Sequence, residues 1–326
     1  MSMCYTVLRV IFRKMGDFMG KNNLKGSLIL TLGALIWGFA FVAQSVAADL
    51  VPPMTLNFLR FAISALFLFL VLKIFGIKTK EPVFPHKKDK LKSALFAGTV
   101  CGGMLALAAN LQQAGIAAYP KGVPTEARAG FLTALYVILV PIISSIFGKK
   151  IHTLVWVSVF IALGGVYMLC AKDGFSGFYS GDILLFLCAL GFSVQILCVE
   201  KYCDIVGGLR LSFLEFSFCS LFSFIFALVF EINKINIAGM KSAILSILFL
   251  GIMSGGVGYT LQIIGQKYAE ASVASIAMSL ESVFAAIGGW LILSHTLKWY
   301  ETLGCLLVFA AIILAQFKPA TAQDKL

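Results

Sequence analysis

Ten stretches of this sequence are about twenty residues long and nearly free of charge, the length a helix needs to cross a bilayer core at about 1.5 Å per residue. Their approximate limits are 27–47, 54–75, 93–115, 128–147, 152–171, 182–200, 209–231, 242–265, 271–293 and 299–317. Almost everything after residue 25 therefore reads as membrane. The connections carry the punctuation of helix ends: Pro52-Pro53, Lys80-Glu81-Pro82, Pro120, Gly148-Lys149-Lys150, Asp173-Gly174, Gly207-Gly208 and Asn233-Lys234. None is long enough to hold a soluble domain.

Composition agrees. Of 326 residues, 60% are hydrophobic and 13% charged, with a mean hydropathy of +0.95, which excludes an ordinary soluble enzyme, a secreted disulfide scaffold and a disordered chain. The eight cysteines show no CxxC spacing, and six lie inside apolar runs, where they read as small buried apolar residues. His86, His152 and His295 are far apart and offer no metal or hydrolase spacing. No cofactor motif is visible, and the glycine pairs Gly102-Gly103, Gly164-Gly165, Gly255-Gly256 and Gly288-Gly289 lack the Lys-Ser/Thr of a phosphate loop. They are expected to serve close helix packing or local bending.

A net charge of +11 in such a chain reads as orientation signal rather than a nucleic-acid surface. With the N-terminus inside, 19 of the 26 Lys and Arg fall in cytoplasmic segments and six outside, while Arg60 lies within a span. Both termini are therefore expected in the cytoplasm. Residues 1–24 read as a basic cytoplasmic tail on anionic headgroups and not as a signal peptide, because Arg9 interrupts their short apolar patch. Met15 and Met19 are alternative starts.

The sequence also repeats. At an offset of 155, Gly26, Leu30, Leu32, Ala34 and Leu35 fall on Gly181, Leu185, Leu187, Ala189 and Leu190. At the same offset Leu56, Phe58, Leu59 and Phe61 fall on Leu211, Phe213, Leu214 and Phe216. Near an offset of 150, Leu111-Gln112 and Gly115 fall on Leu261-Gln262 and Gly265. Two five-span halves follow, at 25–172 and 173–317, with a cytoplasmic tail at 318–326. Five is odd, so the halves enter the membrane in opposite senses, and such inverted repeats exchange conformations around a midplane site. The expected fold is an all-α integral membrane protein of ten transmembrane helices in two inverted repeats.

Those features, with Trp37-Gly38, the run Ala129-Gly130-Phe131-Leu132-Thr133-Ala134-Leu135-Tyr136 to Pro141, Gly181-Asp182 and Leu280-Glu281-Ser282-Val283-Phe284, resemble the EamA family of the drug/metabolite transporter superfamily. The resemblance covers residues 25–317. It departs at Ser282, where the family usually has Pro, and at Ser294-His295, where it often has Gly-Glu. It implies a cavity lined by spans one, three, four, six, eight and nine. It also implies export of amino acids or related small metabolites across a bacterial inner membrane, with protons as coupling ion.

A charge at the centre of a bilayer is expensive, so an ionisable residue there is a functional candidate by default. Glu281 lies about 15 Å along span nine, the middle of a roughly 30 Å core. It is a candidate proton carrier; a packing role between helices is the alternative. Arg60 and Glu215 occupy equivalent repeat positions, each about 9 Å from its own interface on opposite sides. Some 12 Å of depth separates them in a symmetric arrangement, so gating or local ion pairing is expected rather than a mutual salt bridge, with snorkelling to headgroups the alternative.

Uncharged polar groups recur at helical spacing: Trp37, Phe41 and Gln44; Phe192 and Gln195; Tyr259, Gln262 and Gln266; Asn110 and Gln113; and Thr133 with Tyr136. Lipid cannot satisfy them, so they should face other helices or a wet cavity. Glu126 and Arg128 read as a solvated loop pair or a rim of the outward mouth. With no nucleotide motif, a secondary transporter driven by an ion gradient is the leading reading; the expected partners are a small-molecule substrate, a proton or other coupling ion and the lipid bilayer. Lipid translocation on the same fold is the alternative. An intramembrane enzyme lacks the clustered His, Asp or Cys it would need.

Overall fold

The computed structural model describes residues 21–79, 88–120, 125–170, 179–293 and 299–316. Most of the expected basic tail, the tail at 318–326, His86, Ser294 and His295 lie outside these residues, as do the side chains of Glu126 and Arg128. Every regular element among the described residues is helical. In order they are α1 (Lys21–Ala48), α2 (Pro53–Thr79), α3 (Lys88–Ala117), α4 (Thr125–Ala134), α5 (Tyr136–Ile146), α6 (Thr153–Cys170), α7 (Ser180–Val206) and α8 (Gly208–Phe230). Then come the short α9 (Ile237–Ser242) and α10 (Ile244–Leu248), a π-helical segment (Phe249–Tyr259), α11 (Thr260–Gln266), α12 (Ala271–Met278), α13 (Leu280–Leu293) and α14 (Trp299–Gln316).

Among the described residues, seven helical runs are long and apolar enough to cross a membrane: Leu24–Ala48, Pro53–Ile74, Lys88–Ala117, Ala129–Ile146, Ser180–Val206, Gly208–Phe230 and Ile244–Gln266. Three shorter apolar helices, Thr153–Met168, Ala271–Ala285 and Thr302–Ala315, fall where the sequence reading has spans five, nine and ten. Leu66, Phe96, Phe160 and Leu306 stand exposed on these helices, a surface that lipid covers and water would not.

Three expected spans are interrupted, and the sequence explains two of the breaks. In span nine, Ser275 and Ser279 turn their hydroxyls back onto the carbonyls of Ser272 and Ile276 at 2.9 and 2.7 Å. These bonds compete with the backbone ladder, and the helix breaks at Ser279, just before Glu281. In span eight a π-helix replaces the α-helix. Its glycines admit α2 closely: a Cβ on Gly255 would sit 2.0 Å from Ser64 Oγ, which donates to Gly251 O at 2.7 Å. Span four breaks at Leu135, whose neighbours bond at three-residue spacing, Leu135 N to Leu132 O and Ile138 N to Leu135 O. Pro141 lies six residues further on, within α5.

Packing interleaves the chain. α2 lies against α8 and α6 against α14; α3 packs on α7 and α8, while α1 packs on the π segment, α11 and α13. α7 also meets α4 and α5. Of the expected packing pairs of glycines, Gly255 and Gly256 both approach α2 closely, and Gly102 and Gly165 also make a close approach, with added Cβ atoms 2.6 and 2.7 Å from Glu215 O and Gly304 O; Gly103 and Gly164 do not.

The ends are tied by polar contacts. Glu231, just past α8, accepts from the Met54 and Thr55 amides at 2.9 and 2.7 Å and from Thr55 Oγ1 at 2.8 Å, satisfying the free amides that open α2. Tyr119 donates to Asp182 at 2.6 Å, joining the end of α3 to α7. Elsewhere Glu200 at the far end of α7 pairs with Lys149 and accepts from the Ala271 amide at 3.0 Å. Replacing Glu231 by Ala strands two amides and is expected to cost about 2 kcal/mol of stability, whereas Gln, which keeps one acceptor, costs less. Unfolding of purified protein in detergent measures this, and equal stability of all three proteins would contradict the capping role.

Candidate functional site

Where the helix breaks converge, the core opens into a central cavity. α1 gives it Trp37, Phe41 and Gln44, spaced three or four residues apart on one face of the helix. Arg60 enters from α2, Gln112 from α3, Phe192 and Gln195 from α7. Thr133 and Tyr136 flank the break in span four; Ser254, Tyr259 and Gln262 come from span eight, and Glu281 from the first turn of α13.

The broken helices place the central contact. Tyr136 opens α5 and Glu281 lies in the first turn of α13, and the tyrosine hydroxyl donates to Glu281 Oε1 at 2.9 Å. A carboxylate in the first turn of a helix also gains from the unpaired amides there. Glu281 is 5% exposed, so its surroundings are protein and the cavity.

Arg60 is 2% exposed and Glu215 fully buried; neither reaches the surface, so snorkelling is excluded for both. Arg60 Nη1 donates to Gln44 Oε1 at 3.2 Å, and Gln195 Nε2 donates to Glu215 Oε1 at 2.7 Å. No ion pair joins Arg60 to Glu215 among the described residues. Phe61, Phe216 and Tyr259 cluster at centroid separations of 6.0–6.1 Å beside them. Gln195 in turn accepts from Gln262 at 3.0 Å, and Gln262 donates to Gln266 at 3.1 Å.

Of the residues singled out from sequence, Glu281, Trp37, Gln44, Tyr136, Gln195, Tyr259, Gln262 and Arg60 meet in this cavity. Glu215 stands behind it, reached through Gln195. Asn110 and Gln113 turn elsewhere. Asn110 bonds Ser223 Oγ at 2.9 Å and accepts from Asn57 at 3.1 Å, knitting α2, α3 and α8; Gln113 donates to the Gln44 carbonyl at 3.3 Å. On α3 the cavity-facing amide is Gln112, which donates to Thr133 Oγ1 at 3.3 Å. Sequence reasoning missed it because Asn110 and Gln113 make the more regular stripe; the repeat match of Leu111-Gln112 to Leu261-Gln262 was the available signal. Ser254 was missed too, since a serine among glycines carries no pattern. Its carbonyl takes the Trp37 indole N–H at 3.2 Å.

A second, apolar groove runs along the opposite face of α1, lined by Leu35, Phe39, Val42, Val46, Phe249 and Met253 among others. No group of three or more His, Cys, Asp or Glu among the described residues could hold a metal ion.

Comparison with known proteins agrees with this architecture. The model of the EamA-like transporter family matches twice, at residues 24–171 and 179–317. An uncharacterized transporter of Archaeoglobus fulgidus is 31% identical over 313 residues, covering 95% of this chain and 92% of the relative. The uncharacterized transporter YoaV of Bacillus subtilis is 24% identical over 287 residues, covering 87% and 94%. A solved crystal structure superposes with a TM-score of 0.70 at 19% identity, covering 89% of this chain and 96% of its own, a likeness of fold. This multi-pass membrane chain belongs to the EamA-like transporter family.

Proposed function

We propose that the protein is a proton-coupled secondary exporter of amino acids or related small metabolites. It works by alternating access between two inverted five-helix halves in a bacterial inner membrane, with both termini cytoplasmic. The observation that carries this reading is the Glu281 carboxyl group, buried at a helix break, bonded to Tyr136 and open to a central cavity. A carboxyl group in that setting binds and releases a proton without leaving the membrane interior.

The two-half architecture is supported by symmetry in the packing. Exchanging the halves turns the contact of α1 with span eight into that of α7 with α3, and the contact of α1 with α13 into that of α7 with α4 and α5. It leaves α2 with α8 and α6 with α14 unchanged. The fourth span of each half breaks, at Leu135 and Ser279. The family model matching once per half supports the same division.

The apolar groove beside α1 favours a second reading, lipid translocation, in which the groove carries acyl chains while a headgroup passes through the cavity. Amino-acid flux and lipid flip in the same vesicles separate the two.

In proteoliposomes, an added amino acid substrate is expected to drive proton movement in the wild type, and Glu281→Gln is expected to abolish it. Proton flux surviving in Glu281→Gln would place the coupling group elsewhere. Tyr136→Phe removes one hydrogen bond to a charged group, worth about 1.5–3 kcal/mol, and is expected to slow coupled flux about tenfold or more. An unchanged rate would show that the contact is not used in transport.

A further inference from the structure

Two charged side chains face the cavity from different walls, Arg60 from α2 and Glu281 from α13. Neither belongs to an ion pair among the described residues. Both keep bonding capacity in reserve. Arg60 gives Nη1 to Gln44, while its Nε is buried without a partner. Glu281 accepts from Tyr136 at Oε1, and Oε2 has no hydrogen-bond partner among the described residues.

Arginine only donates, so the Gln44 atom facing it is the carbonyl oxygen, and the Gln44 NH2 group is left beside the cavity. The α1–α2 wall thus presents only donors, guanidinium and amide, and the α5–α13 wall presents a carboxylate oxygen. Gln195 and Gln262 are different: their amides are tied to Glu215, to each other and to Gln266.

We infer that the cavity takes a zwitterion, its carboxylate held by Arg60 and the Gln44 amide and its ammonium by Glu281, so that a free α-amino acid is accepted and simple amines and organic acids are refused. A zwitterion meets both buried charges in one event. An amine leaves Arg60 with an uncompensated buried charge, which is costly, and an organic anion leaves Glu281 protonated and forgoes the second ion pair. The side chain of the ligand then lies against Phe41, Phe192 and Met278, the apolar part of the lining. The inference rests on the transporter reading of this cavity and fixes its substrate class and polarity.

The test uses the full chain in lipid nanodiscs and the ligand-induced rise in melting temperature. The proteinogenic amino acids are screened, and the tightest binder is compared with its carboxamide, which lacks the anion, and its N-acetyl derivative, which lacks the cation. Wild type should bind the parent at least about tenfold more tightly than either. Arg60→Gln should lose the preference over the carboxamide, and Glu281→Gln the preference over the N-acetyl derivative. The ligand-free melt shows whether each variant is folded, and if one is not, the wild-type ratios decide alone. Equal binding of the carboxamide or of the N-acetyl derivative overturns the inference and leaves the transporter reading standing. No response to any amino acid overturns it together with the amino-acid reading.

Discussion

A charge or amide group inside hydrocarbon has to be met by other protein groups or by a ligand, and most of this core follows from that demand. Arg60 and Glu215 occupy equivalent repeat positions, and each bonds a glutamine on the preceding span of its own half, Gln44 and Gln195. The two halves meet the same demand with opposite charges. In the first half the arginine turns the glutamine so that its NH2 group lies beside the cavity. In the second, Gln195 is held by Glu215 and by Gln262, and the cavity gains a fixed wall.

The same demand accounts for the helix break in span nine. Ser275 and Ser279 satisfy their hydroxyls by bonding back along span nine, and the interruption puts Glu281 in a first turn, facing Tyr136 at the start of α5. In the proposed cycle the halves rock about this centre, and the contacts at the ends are what must part. Glu231 on the α2 amides and Tyr119 on Asp182 close one end; Lys149 and the Ala271 amide on Glu200 close the other.

Much of this was legible in the sequence because the bilayer leaves so few options. Apolar runs of fixed length located the helices, and the rarity of intramembrane charge picked out Arg60, Glu215 and Glu281 in advance. Helical spacing brought Trp37, Phe41 and Gln44 to one wall. It failed on α3, where Asn110 and Gln113 formed the regular stripe but serve interhelical bonds, and Gln112 lines the cavity. Periodicity finds a polar face without saying which neighbour the face meets. The π-helical stretch was illegible for a related reason: Gly251, Gly255 and Gly256 mark a close approach, while the widened turn depends on how α2 packs into it.

The central claim is that the cavity holding Ser254 and Glu281 opens to each side of the membrane in turn. Ser254→Cys in a background cleared of native cysteines, reacted with a membrane-impermeant maleimide in right-side-out and in inverted vesicles, tests it most directly. The account predicts labelling from both sides, with protection by saturating substrate. Labelling confined to one side, or unaffected by substrate, would contradict it.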